Sequence, residues 1–210
     1  MLTQGQVGPI GTSSASDGQM LTLRQAKLGD LVVSELQGRL YELNYRQQLF
    51  HAANQAATVT TVGLATTYTG ISISNPVGNV KNIAILGAGW AFPVAAPAVV
   101  VVGIMVGYNG STNVTHTTAI TPKSSFVGIG PAPTALVDAS SAFPTAPWLE
   151  RVLGKVDSGA VSVDTQGAVG NVQLESGIIL PPGAYAAIYT STVSAASGFF
   201  GSFQWAELPV

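Results

Sequence analysis

The chain has 210 residues and a formal net charge of −2, and charged residues make up 9% of it, against roughly 25% in ordinary soluble domains. It contains no cysteine, which excludes disulfides, thiolate metal sites and thiol nucleophiles. The near-neutral balance leaves no basic field for nucleic acid and no polybasic anchor for a membrane. Such a chain cannot cover itself with the mixed charged surface that keeps monomers apart, so an obligate oligomer, or a place in a tight lattice, is expected.

The opening MLTQGQVGPIGTSSASDG lacks the charged start and apolar core of a signal peptide, and the chain reads as made in the cytosol. These residues are rich in Gly, Ser, Thr and Gln and are expected to be extended or disordered in isolation. Eight of the chain's charges then fall between Asp17 and Arg46, whereas Gln47 to Val137 holds only Lys81 and Lys123. That asymmetry divides the chain into an N-terminal arm and docking segment, 1–57, and a second region, 58–210.

Within the arm, Leu28, Val32, Leu36, Leu40 and Leu43 recur at three- and four-residue spacing, and the spacing predicts a helix between Leu28 and Phe50. Glu35/Arg39 and Glu42/Arg46 are i,i+4 pairs with the acid first, the favourable order. Gly38 and the Val32–Val33 pair weigh against it, and two strands turning near Gln37–Gly38 are the alternative. Asp17, Asp30, Glu35 and Glu42 balance Arg24, Lys27, Arg39 and Arg46. A neutral, charge-dense segment suits docking onto a partner surface as well as it suits a solvated helix face. Arg24, Lys27, Glu35, Arg39, Tyr41, Glu42 and Arg46 are accordingly the candidate assembly contacts.

The second region is rich in Val, Ile, Thr and aromatic residues, with Gly, Pro and Asn at short intervals. Strands are predicted at Thr69–Ser74, Val80–Leu86, Ala98–Tyr108, Ser125–Ile129, Trp148–Val156, Val161–Val163, Gly170–Leu174, Ala184–Thr190 and Phe199–Leu208. The uncharged stretch Ile83–Tyr108 is long enough to span a bilayer. Pro93 and Pro97 cut it in the middle, though, and it reads as two buried strands with a Pro-containing connection. Many short strands without intervening helices predict a mainly β fold, an antiparallel β-sandwich of jelly-roll type, preceded by an arm with a short helix.

The motifs that could carry chemistry are weak. Gly87-Ala88-Gly89 begins like a dinucleotide fingerprint, but Phe92 stands where a third small residue is needed, Pro93 follows, and no acid occurs before Asp138; a glycine-softened strand end is expected. Asp157-Ser158-Gly159 matches the turn of aspartic proteases, yet Asp164-Thr165-Gln166 is no second copy, and a β-turn explains it. His51 and His116 have no acid or second histidine close in sequence, as a local metal site would need. A Ser-His-Asp arrangement can still be assembled from distant positions. Asn109-Gly110-Ser111 and Asn113-Val114-Thr115 fit the glycosylation pattern, but a polar turn is the better reading. No catalytic residue, metal site or cofactor is assigned.

Three stretches resemble tailed-bacteriophage virion structural proteins: Gln19–Ala57, Leu64–Asn82 (LATTYTGISISNPVGNVKN) and Leu180–Val210, with LPPGAYAAIYTSTVSAASG and GSFQWAELPV. In size and style the chain is most similar to capsid decoration, or cement, proteins. The resemblance implies a small β-sandwich, often trimeric, seated on the major capsid protein at the outside of the head, which reinforces the shell. It also implies a location in the virion after assembly in the host cytoplasm. Tail, neck and fibre proteins share the texture, and a fibre module would set Trp90, Trp148 or Tyr108 in a sugar-binding groove. Core packing is the expected fate of those aromatics. An enzyme is the least favoured class, because general acid–base work needs titratable groups that this chain has few of.

Overall fold

Runs such as Ile71-Ser72-Ile73-Ser74 and Ala184-Tyr185-Ala186-Ala187-Ile188 place every second side chain on one face of an extended chain. Two such faces, packed together, build this molecule. The computed structural model describes residues 5–6, 23–24, 40–94, 96–128, 130–156, 169–196 and 198–209. The chain divides into two units, Met1–Tyr41 and Glu42–Val210. In the first, β1 (Gly5–Gln6) pairs in parallel with β2 (Leu23–Arg24).

The second unit is an antiparallel β-sandwich. The strands are β3 (Leu49–Ala53), β4 (Thr67–Ser74), β5 (Lys81–Ala91), β6 (Val100–Tyr108), β7 (Thr115–His116) and β8 (Ala119–Ile120). They continue with β9 (Lys123–Ser124), β10 (Leu136–Ala142), β11 (Trp148–Val156), β12 (Val169–Leu180), β13 (Ala184–Thr190) and β14 (Phe200–Pro209). One sheet has the order β11-β6-β13-β4-β10-β7, with β8 also on β10; the other has the order β12-β5-β14-β3-β9. The apolar stretch Ile83–Tyr108 thus supplies β5 to one sheet and β6 to the other, with Pro93 and Pro97 in the connection, as expected. Among the described residues no helix is long and apolar enough to cross a membrane.

The short helix expected in the arm is present, and its expected extent between Leu28 and Phe50 is corrected over the described part. Only α1 (Tyr41–Tyr45) is helical there, and the rest of the expected span before Leu40 lies outside the described residues. Gln47 takes a left-handed backbone (φ 57°), and the Gln48 N–H returns to the Leu43 carbonyl at 2.9 Å, which closes the helix as a C-terminal cap does. Leu49, Phe50 and Ala52 are then buried in the sheet. Tertiary burial overrides the helical spacing, and the sandwich starts at Leu49, ahead of the expected Thr58. The strand expected at Ser125–Ile129 is also displaced, to Lys123–Ser124. Gly128 has φ 97°, and the Gly130 N–H bonds the Phe126 carbonyl at 3.2 Å, so the chain turns where a strand was expected. Val161–Val163 lies outside the described residues.

The core fills the space between the sheets. Ile71 and Ile73 (β4), Ile104 (β6) and Ile188 (β13) meet Ile85 (β5), Phe203 and Trp205 (β14). Each such side chain contributes on the order of 1.5–3 kcal/mol by leaving water. Phe50 stacks on Trp205 at 6.2 Å, and Phe92 meets Phe199 edge-on at 5.5 Å. The opposite face of the β4–β13–β6 sheet carries a second apolar cluster, Tyr68, Met105, Val114, Phe143, Tyr185 and Ala187. Asn75, almost fully buried, ties the sheets together. Its Nδ2 donates to the carbonyls of Lys81 (2.8 Å) and Leu180 (2.9 Å), and its Oδ1 accepts from Asn79 (2.6 Å).

Candidate functional site

Of the candidate assembly contacts, Arg24 lies in β2, Tyr41 and Glu42 lie in α1, and Arg46 follows α1. Tyr41 and Arg46 are exposed. Lys27, Glu35 and Arg39 lie outside the described residues, as do Asp157-Ser158-Gly159 and Asp164. Gly87 and Gly89 sit inside β5, not at a strand end, and Trp90 beside them is buried (9% exposed). His51, on β3, accepts or donates to Ser125 Oγ at 3.2 Å. Among the described residues no group of acids and histidines could hold a metal ion.

The structure brings together one arrangement that sequence spacing could not show. His116 (β7) contacts the Asp138 carboxylate (β10) through Nδ1, and its Nε2 lies 3.4 Å from Ser74 Oγ (β4). Asp138 pairs with Ser72 and His116 with Ser141 across the ladders, and the Ser72 and Ser141 hydroxyls are 2.6 Å apart. Burial lowers the His116 pKa below the usual histidine range, while the adjacent carboxylate works in the opposite sense. The order acid, imidazole, hydroxyl is that of a serine hydrolase. Two features set it apart. Ser74 is only 5% exposed, and the next N–H along the chain, Asn75, where such enzymes hold an oxyanion donor, bonds the Ala184 carbonyl at 2.8 Å. The three residues also join the short strand β7 to the sheet. β7 pairs with β10 through just two residues, and a buried Asp138 requires a partner.

A second buried acid is held by four donors. Glu207 (β14) accepts from the Thr134 N–H (2.7 Å), the Ala135 N–H (3.0 Å), the Thr134 hydroxyl (2.8 Å) and Lys81 Nζ (3.0 Å). Burial alone would raise its pKa, but these donors together hold it below the usual carboxylate range.

A polar-aromatic cleft lies between β11 and β12, which each end a sheet. A cleft of about 360 Å³ runs between Tyr108, Trp148, Glu150 and the Ile178–Pro181 segment. Trp148 pairs with Val106 across the β11–β6 ladder, which puts Trp148 and Tyr108 on the core-facing side of their strands, at its rim. They are 51% and 53% exposed. Core packing was expected for Trp90, Trp148 and Tyr108 and holds only for Trp90. Glu150 has no partner on β6, because the register shifts between Leu149 and Arg151. This bulge re-aims the side chain, and Glu150 Oε2 accepts from the Trp148 indole N–H at 3.0 Å.

Comparison of the chain with protein-family models, curated proteins and solved structures finds no match.

Proposed function

We propose that this chain is a non-enzymatic structural protein of a bacteriophage particle, a capsid decoration protein that self-associates as a jelly-roll trimer and reinforces the head by binding the major capsid protein. The observation that carries the self-association is the pair of sheet edges β11 and β12. Trp148, Leu149 and Val152 on β11, and Val169 and Ile179 on β12, are exposed apolar residues on edge strands. Exposed apolar side chains on edge strands invite pairing with another chain, while Glu150, Arg151 and Lys155 and the two register shifts of β11 restrict which partner can pair there. With 9% charged residues in the chain, little else is available to keep copies apart. The particle and the head surface rest on the sequence resemblance. An interface of about 1,600 Å² per contact suffices for specific attachment, and symmetry multiplies weak contacts.

Two measurements test this. Light scattering of the purified chain gives a fixed oligomer, expected to be a trimer; a stable monomer at working concentration overturns the self-association. Sedimentation with emptied heads of the phage that encodes the chain gives saturable binding; binding to tails alone overturns the head assignment. A tail, neck or fibre component with receptor glycan binding is the alternative, favoured by the exposure of Tyr108 and Trp148 at one cleft.

A further inference from the structure

The geometry points to the Tyr108–Trp148–Glu150 cleft as a binding site for a pyranose ring of a neutral glycan. Four features combine there. Two aromatic rings are half-exposed on one rim, although a Trp or Tyr at this position on its strand could have turned fully into the core. Ring faces of this kind stack against the flat apolar face of a sugar and leave its hydroxyl edge free. Glu150, displaced by the β-bulge, presents a carboxylate beside the indole, and a carboxylate accepts from adjacent hydroxyls. Arg151 does not line the cleft but places its Nη1 4.0 Å from where a Cβ on the lining residue Gly177 would stand, and a cation that close disfavours a cationic ligand. The floor, Ile178 and Leu180, is buried and apolar.

The volume of about 360 Å³ falls at the small end of ligand sites, which run from roughly 300 to 1,000 Å³, and fits one or two sugar rings. An aromatic pair with a carboxylate could also hold a quaternary ammonium ion; Arg151 beside Gly177 is the observation against it. Trp148 and Ile179 also belong to the edges proposed for self-association, so the site requires a subunit contact that leaves the cleft open, and the light-scattering mass measured alongside distinguishes failure of the site from failure of the assembly reading.

Trp148 is the one exposed indole, since Trp90 and Trp205 are buried, so acrylamide quenching of tryptophan fluorescence reports on this cleft. The probes are the methyl glycosides of glucose, galactose, mannose and N-acetylglucosamine, their short oligomers, and choline chloride. The expected result is saturable protection of Trp148 with a blue shift by at least one saccharide. Tyr108→Ala and Glu150→Gln should each weaken it by about two- to tenfold, the scale of one lost stacking or charge-assisted contact, while Val80→Ala on another part of the surface leaves it unchanged. Any of three results overturns the site: no saccharide protects Trp148; protection is equal in both cleft variants; or choline alone protects. Protection that depends on protein concentration and not on sugar also overturns it, and assigns Trp148 to a subunit contact.

Discussion

Gly107 lies beneath the ring of Tyr185, its partner across the β6–β13 ladder, and a Cβ at residue 107 would overlap the phenol. The ring is fixed from two other sides. Its hydroxyl donates to the Thr145 carbonyl at 2.5 Å, and its face stacks on Phe143 at 4.5 Å. Gly107→Ala must therefore displace the ring and loosen the outer apolar cluster. The expected cost is about 1–3 kcal/mol, measured by urea unfolding. In a Tyr185→Ala background the same change should cost little; an undiminished cost there would show that the ring is not what Gly107 accommodates.

Glu207 makes stability depend on acid. Its folded pKa is depressed, so its contribution is present above the unfolded carboxylate range and is lost as pH falls through the folded value. Glu207→Gln should destabilise the chain by about 1–3 kcal/mol at pH 7, from poorer satisfaction of four donors. The gap between the two proteins should narrow as pH is lowered towards 3. A constant gap would mean that the charge of Glu207 contributes nothing.

The Ser74–His116–Asp138 contacts distinguish a structural pin from a catalytic relay by their pattern of loss. His116→Ala leaves a buried carboxylate unpaired and is expected to cost about 3–5 kcal/mol. Ser74→Ala should cost under about 1 kcal/mol, since one long hydrogen bond is lost. Incubation with a fluorophosphonate, followed by mass spectrometry, should leave Ser74 unmodified; stoichiometric labelling there would establish the relay instead.

The exposed apolar side chains on β11 and β12 predict a charge-sensitive assembly. Val152→Lys and Ile179→Lys place a cation on β11 and β12, where edge strands commonly use lysine against pairing. Both should shift the oligomer towards monomer in light scattering while the far-ultraviolet circular dichroism stays unchanged. An unaltered mass in both variants would move the subunit contact to another surface.

How far the residues announced this structure differs by element. The two halves of Ile83–Tyr108, and the strands Trp148–Val156 and Ala184–Thr190, were legible because burial and β-propensity agree there and turn residues bound them. β3 was not, because the helical spacing from Leu28 to Leu43 carried the expected helix on to Phe50, and only a distant strand, β14, makes Leu49, Phe50 and Ala52 extended. β10 was missed as well. Its sequence Leu-Val-Asp-Ala-Ser-Ser-Ala is small and polar, and its stability comes from Ser72, Ser74 and His116 on neighbours. For the same reason the His116–Asp138 contact was invisible: each residue lacks a local companion, and the sheet register supplies one. In the cleft, Trp148 and Tyr108 were recognisable as candidates by type alone. Glu150 was not, since its position depends on a bulge that no local pattern marks.

The ladder that sets Phe50 against Trp205 joins strands separated by most of the chain. β14 is also the central strand of its sheet, with β5 on one side and β3 on the other. Until β14 arrives, β3 and β5 each lack a neighbour, and loop closure across the intervening residues must come before the contacts that reward it. The molecule should therefore fold slowly and late, with apolar strand edges open in the interval. Dilution, lower temperature or a chaperone during expression should raise the yield of native protein more than any single stabilising substitution.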